Sequence, residues 1–384
     1  PYLVRTLGVS NFGIYSFSLA FMSYFQVITN YGFNLTATRD ISVNRNNKEN
    51  IEGIVSTVYL TKLFLTLFCF LILILMITFV PKFNQYSLSY LVSFLLVIGN
   101  VLFPGWFFQG IEKMKYITLL SITGRILLTI SVFVFVKQEK DYIIALLINS
   151  MSYLIPGILG ITLIKVKYQI KFKLVSFKKI FKALSDGWYI FISSLLGNII
   201  SSSGTFVLGL TSSNSVVGIY SSIIKIIKAV IGLFLPITQS LFPYVSAKFS
   251  QNYEVGISIV KKAGKIIMAI SFFIGTSLFI LAPLILEIMY GIEIAKYSLV
   301  MRILVIWLLF SVLNNIIGYQ YLIASGQEKL YSRSFIKAGI VTILLYIILS
   351  IPFSMYGIII AMLAGEISLT FLMIISMHKN VTLK

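Results

Sequence analysis

Charge is scarce in this sequence: 11% of its residues are Asp, Glu, Lys or Arg, against about 25% in a soluble domain. With 58% hydrophobic residues and a mean hydropathy of +0.96, the chain has too little polar surface to face water. A pair of soluble domains, which 384 residues would otherwise allow, is excluded. The single cysteine, Cys69, lies in an apolar run and leaves no disulfide framework. The single histidine, His378, stands at the C-terminal end, which argues against a histidine-based metal site. What the chain does have is cations, 31 Lys and Arg against 12 acids.

A membrane helix needs about 20 mostly apolar residues. The stretches 12–33, 54–80, 88–109, 116–136, 141–164, 186–211, 217–245, 264–289, 298–323, 334–352 and 356–377 qualify. Lipid leaves no backbone group unpaired, and these runs lack the alternation of barrel strands, so all are expected to be helical. Basic residues crowd alternate connections, from Arg39, Arg45 and Lys48 through the cluster between Lys165 and Lys182 to Lys379 and Lys384. The other connections hold only Arg5, Lys82, Lys137, Lys140 and Lys296. The positive-inside rule makes the first set cytoplasmic, with the C-terminus. Basicity here follows topology and anionic headgroups, so no nucleic-acid partner is expected. External connections are all under about ten residues, so no outer domain fits there.

Gly13-Ile14-Tyr15-Ser16 recurs as Gly218-Ile219-Tyr220-Ser221, each copy opening an inward span. The spans that follow keep the same order, which describes a parallel repeat. The second copy is preceded by span 186–211, the first only by 1–7, which reads as the outer end of a truncated helix. Six plus six spans are therefore expected, with most of the first helix upstream of this sequence. The expected division is an N-lobe over 1–164, a basic cytoplasmic linker over 165–184 and a C-lobe over 185–384. Phe172, Val175, Phe177, Ile180 and Phe181 give the linker the pattern of an interfacial amphipathic helix.

Pro1-Tyr2-Leu3-Val4-Arg5-Thr6-Leu7-Gly8, Phe12-Gly13-Ile14-Tyr15 and the run from Tyr31 to Ile41 resemble the polysaccharide-transporter family. These are the Wzx-type O-antigen and capsule flippases of the MOP exporter superfamily. Gly218-Ile219-Tyr220, Leu235-Pro236 and Phe242-Pro243-Tyr244-Val245-Ser246 fit the same pattern. The resemblance implies an all-α membrane protein of two six-helix bundles that works by alternating access in the bacterial inner membrane. It implies an undecaprenyl-pyrophosphate-linked oligosaccharide as cargo, membrane lipids as surroundings and a polysaccharide polymerase complex as protein partner. No cofactor is implied beyond proton or sodium coupling.

Charges within spans are costly and mark candidate sites. Lys225 and Lys228 stand one turn apart near mid-depth and suit a pyrophosphate, as does Arg125, about 15 Å into its helix. Two further phosphate candidates sit at helix ends. Arg5 lies at the exit side, where anchoring to headgroups is the rival role; Arg39 lies at the cytoplasmic mouth, where an ion pair with Asp40 is the rival. Lys62 and Arg302 lie near span ends and read as snorkelling side chains. Glu366 is the candidate coupling acid or buried counter-charge, and Pro236 the candidate hinge. A MATE-like exporter of cations shares the architecture but should carry acids where this chain carries bases. A membrane enzyme of the same pathway should carry a large external loop and catalytic residues, and neither is found.

Overall fold

The third long helix shows how the sequence builds the fold. Its buried residues Val55, Val58, Tyr59, Leu65, Cys69, Leu73 and Ile77 recur at helical spacing. Phe64, Leu67, Phe68, Leu71 and Leu75 on the remaining face are exposed. A helix that is apolar all round, with one face packed on protein, has lipid for the other. The computed structural model describes the backbone of residues 1–381 and the side chains of 1–199 and 202–377. His378, Lys379 and Lys384, used above, have side chains outside the described residues. Among the described residues no strand occurs. The protein is a multi-pass, all-α membrane protein.

The chain divides into two units, Thr6–Phe206 and Pro1–Arg5 with Val207–Lys384. The first contains most of α1 (Tyr2–Asn30), α2 (Phe33–Val43), α3 (Lys48–Phe79), α4 (Ser87–Leu102), α5 (Met114–Phe135), α6 (Tyr142–Val166) and most of α7 (Phe177–Thr211). The second contains the end of α7, then α8 (Asn214–Gln251), α9 (Tyr253–Ile280), α10 (Ser298–Asn315), a π-helical extension Ile316–Ile323, and α11 (Glu328–Val381). Helix α1 breaks at Gly8, whose φ of 71° suits glycine alone, and its first turn joins the second unit. The division falls within α7, at 206/207, rather than in the basic stretch 165–184 where the charge reading expects it. Tyr31 stacks on Phe191 at 4.4 Å, and the Tyr24 hydroxyl meets that of Ser203 at 3.1 Å. These contacts tie most of α7 to α1 and α2.

Among the described residues nine helices are long and apolar enough to cross a membrane, or ten if α7, bent by 59° between Phe177–Ile199 and Ser202–Thr211, counts as one span. One of the nine, Glu328–Met377, would be about 75 Å long if straight, more than twice the hydrocarbon thickness. It breaks at Ser354 (φ 50°, ψ −126°), two residues after Pro352. The break makes two spans and matches the segments 334–352 and 356–377.

The repeated tetrapeptide does the same work in each unit. Tyr15 and Tyr220 are both buried. The Tyr15 hydroxyl accepts from Asn149 Nδ2 on α6 at 3.1 Å, and the Tyr220 hydroxyl donates to Met362 Sδ on α11 at 3.0 Å. Each tyrosine thus fastens its own helix to a later helix of the same unit. The basic stretch departs from its pattern. Residues 167–176 are not helical, and the helix starts only at Phe177. Glu52 explains the difference: it accepts the Lys171 N–H at 3.2 Å and pairs with Lys173 Nζ at 2.9 Å, while the Lys173 N–H donates to Ser56 at 2.9 Å. The amphipathic helix is therefore confined to the part that begins at Phe177, where Phe177 and Phe181 are exposed.

Candidate functional site

Helix α8 carries the strongest concentration of charge within a span. Its inner face, with Val217, Ser221, Ile224 and Ile227, packs into the unit, whereas Lys225, Lys228, Pro236, Gln239 and Pro243 are exposed. Those residues follow helical spacing and form one stripe of cations, amides and prolines down the helix. Lys225 and Lys228 are close enough to repel each other. Such a pair is stable in a membrane only where water or an anion answers it. The helix runs unbroken through Pro236 and Pro243. Gln320, in the π-helical segment, donates to the Thr238 carbonyl at 2.7 Å, next to Gln239, whose carbonyl Pro243 leaves without its intrahelical donor.

Each remaining candidate has its own surroundings. Arg5 donates Nε to the Met289 carbonyl at 3.0 Å and a second N–H to that of Ile288, closing the C-terminal end of the short helix Ala282–Tyr290. Arg39 is paired with Asp40 at 2.9 Å, both exposed, so the ion-pair role is the one seen. The two line a cavity of about 700 Å³ with Lys179, Lys182 and Asp186. Arg125 lies in the first unit, in a cavity of about 370 Å³ between α4, α5 and α6. Glu366 sits in the second unit. Asn314 Nδ2 donates to its Oε2 at 2.5 Å and to its carbonyl at 2.9 Å, and Thr370 Oγ1 donates to Asn314 Oδ1 at 2.7 Å. Arg302 donates to the Phe279 carbonyl at 3.2 Å and lies 5.5 Å from the centre of its ring.

Lys62 corrects the sequence analysis. It does not snorkel: it is fully buried, and its ammonium donates to Asn30 Oδ1 at 3.0 Å, while Asn30 Nδ2 donates to Asn100 Oδ1 at 2.7 Å. The network joins α1, α3 and α4. Asn100 and Asn314 went unremarked because an uncharged amide in an apolar run looks the same whether it packs or binds. The signal available was depth, since each lies in a span where a polar group needs a partner.

A family model described as "Polysaccharide biosynthesis protein" matches residues 1–249. Two relatives carry the name "Putative O-antigen transporter". The one from Escherichia coli (strain K12) is 31% identical over 380 residues, covering 99% of this chain and 92% of the relative. The one from Shigella dysenteriae is 28% identical, covering 97% and 93%. Among solved structures, an inward-facing multidrug resistance MATE family transporter of the MOP superfamily superimposes with a TM-score of 0.70 at 15% identity, covering 99% of this chain and 95% of that one. The lipid II flippase MurJ, in an inward closed conformation, gives 0.69 at 16% identity, covering 95% and 84%. At such identities the structures establish a shared MOP-superfamily fold.

Proposed function

This chain belongs to the polysaccharide biosynthesis protein family, and on that premise we propose that it is a flippase for lipid-linked oligosaccharide repeat units in the bacterial inner membrane. The cargo on this reading is an undecaprenyl-pyrophosphate-linked glycan, carried from the cytoplasmic to the outer leaflet by alternating access. The observation that carries the proposal is the exposed pair Lys225 and Lys228 within a membrane span. Charged hydrogen bonds from two ammonium groups suit a pyrophosphate whose charge must cross hydrocarbon. Cation export is the competing reading, and it wants an accessible carboxylate. Glu366 is instead hydrogen-bonded to buried Asn314.

The test is complementation in a bacterium lacking its own repeat-unit flippase. Expression of the full-length gene is expected to restore surface polymer, and K225Q/K228Q to abolish it at unchanged protein level. Normal polymer from the double variant would remove the pyrophosphate role of the pair. Rising cationic-dye efflux without polymer would favour the exporter.

A further inference from the structure

Arg125 is the twelfth residue of the 22 in α5, about 16 Å from either end, hence near the bilayer midplane. Its side chain is exposed on the helix rather than sealed in the unit. Among the described residues its side chain makes no hydrogen bond, and none of the ion pairs includes it. A fixed charge at that depth needs water or a counter-charge.

The cavity beside it is built for one. Ser121, Gly124, Arg125 and Leu128 of α5 face Asn149, Ser152, Tyr153 and Pro156 of α6, each set spaced i, i+3, i+4, i+7, with Asn100 of α4 at the edge. The helices meet closely because glycines stand at the crossings. A Cβ on Gly124 would fall 2.2 Å from the Ser152 carbonyl, and one on Gly99 2.4 Å from the Leu154 nitrogen. Residues able to donate stand around the space: Asn100, whose Oδ1 accepts from Asn30, and Ser121 and Tyr153 are all among its lining. No carboxylate belongs to the lining. Along α6 the nearest acid, Asp141, is eight residues before Asn149, about 12 Å away along the axis.

We propose that this cavity in the first unit is a phosphate-binding site, held by Arg125 with Asn100, Ser121 and Tyr153, that takes the phosphate group of a lipid. It is separate from the Lys225–Lys228 stripe, which belongs to the other unit, and it does not depend on the flippase reading. The guanidinium supplies a planar pair of donors for two phosphate oxygens, and the neutral donors complete the shell.

The test is local. In the full-length protein in detergent, Leu128→Cys places a thiol in the cavity wall, while native Cys69 is fully buried and serves as the silent control. Dioctanoyl phosphatidic acid is expected to slow maleimide labelling of that thiol at least about tenfold, and dioctanoylglycerol, which lacks the phosphate, to leave it unchanged. Adding R125Q should abolish the protection and R125K retain part of it, whereas K225Q/K228Q should not affect it. Inorganic phosphate separates the sources. Protection by it means that the group alone is recognised, and protection only by the lipid means that acyl chains are also held; either supports the site. Equal protection by dioctanoylglycerol, or protection surviving R125Q, overturns it. Should L128C fail to fold, Phe103→Cys, also in the lining but outside the proposed donor set, gives the same readout. Failed polymer complementation alongside Arg125-dependent protection would sink the flippase reading and leave this site standing.

Discussion

The two units solve one problem with opposite charges. In the first, a buried ammonium, Lys62, is held by an asparagine pair, Asn30 and Asn100. In the second, a carboxylate, Glu366, is held by Asn314, which is braced by Thr370. Asn100 lies near the end of α4 and Asn314 near the end of α10, and both helices open with Tyr-Ser-Leu at Tyr86 and Tyr297. Counted from that tyrosine, Asn100 lies 14 residues on and Asn314 17, so the amides do not share a position, but each unit sets one toward a charge of opposite sign. An amide allows this, because it both donates and accepts. The difference also separates a sealed charge from open ones: Lys62 is sealed at 0% exposure, whereas Lys225 and Lys228 are exposed on their span.

The largest expected effect breaks the acid side. Asn314→Leu removes the donor to Glu366 and the acceptor of Thr370, and should cost about 2–4 kcal/mol, read by denaturant unfolding in detergent. A cost below about 1 kcal/mol would mean that the carboxylate has other support. On the cation side, Asn100→Leu leaves Lys62 bonded to Asn30 and should cost about 1 kcal/mol, because only a neutral amide pair is lost. Equal costs at Asn314 and Asn100 would erase the distinction drawn here. Lys62→Met keeps the volume and removes a sealed charge, so stability should hold within about 1 kcal/mol or rise. If the melting temperature instead collapses, Lys62 is an indispensable part of the first unit.

Much of this was legible in the sequence. The spans were, because hydrocarbon thickness imposes a length and lipid imposes composition. The break at Ser354 followed Pro352, and the paired tyrosines were visible as a repeated tetrapeptide. Lys62 was not, because a lysine near a span end has one sequence signature whether it reaches for headgroups or for an asparagine on another helix. The extended stretch 167–176 was hidden for a like reason. Its apolar pattern is helical, but Glu52, more than a hundred residues earlier, competes for its backbone and wins. The cavity that Arg125 lines was illegible too, since mid-depth position says nothing about which helices share a cavity.

The smallest expected effect concerns pH. Its bond to Glu52 holds the Lys173 ammonium above the usual lysine range. A raised value in the folded state means that the pair contributes fully below the ordinary lysine value of about 10.4 and fades only as pH rises through the raised one. Hydrogen exchange at the Lys171 and Lys173 amides should therefore show constant protection across neutral pH once intrinsic exchange rates are divided out. Glu52→Ala should remove it at the Lys171 amide at every pH, and protection lost near neutrality would contradict the pairing.

The central claim is that Lys225 and Lys228 carry a lipid-linked pyrophosphate across the bilayer. The direct measurement is translocation of a fluorescent polyprenyl-pyrophosphate-linked sugar in proteoliposomes, followed by quenching from outside. Rapid flipping by the wild-type protein is expected, with a loss of at least about a hundredfold in K225Q/K228Q, the scale of two charged hydrogen bonds. Flipping at the wild-type rate by a correctly folded double variant would contradict it.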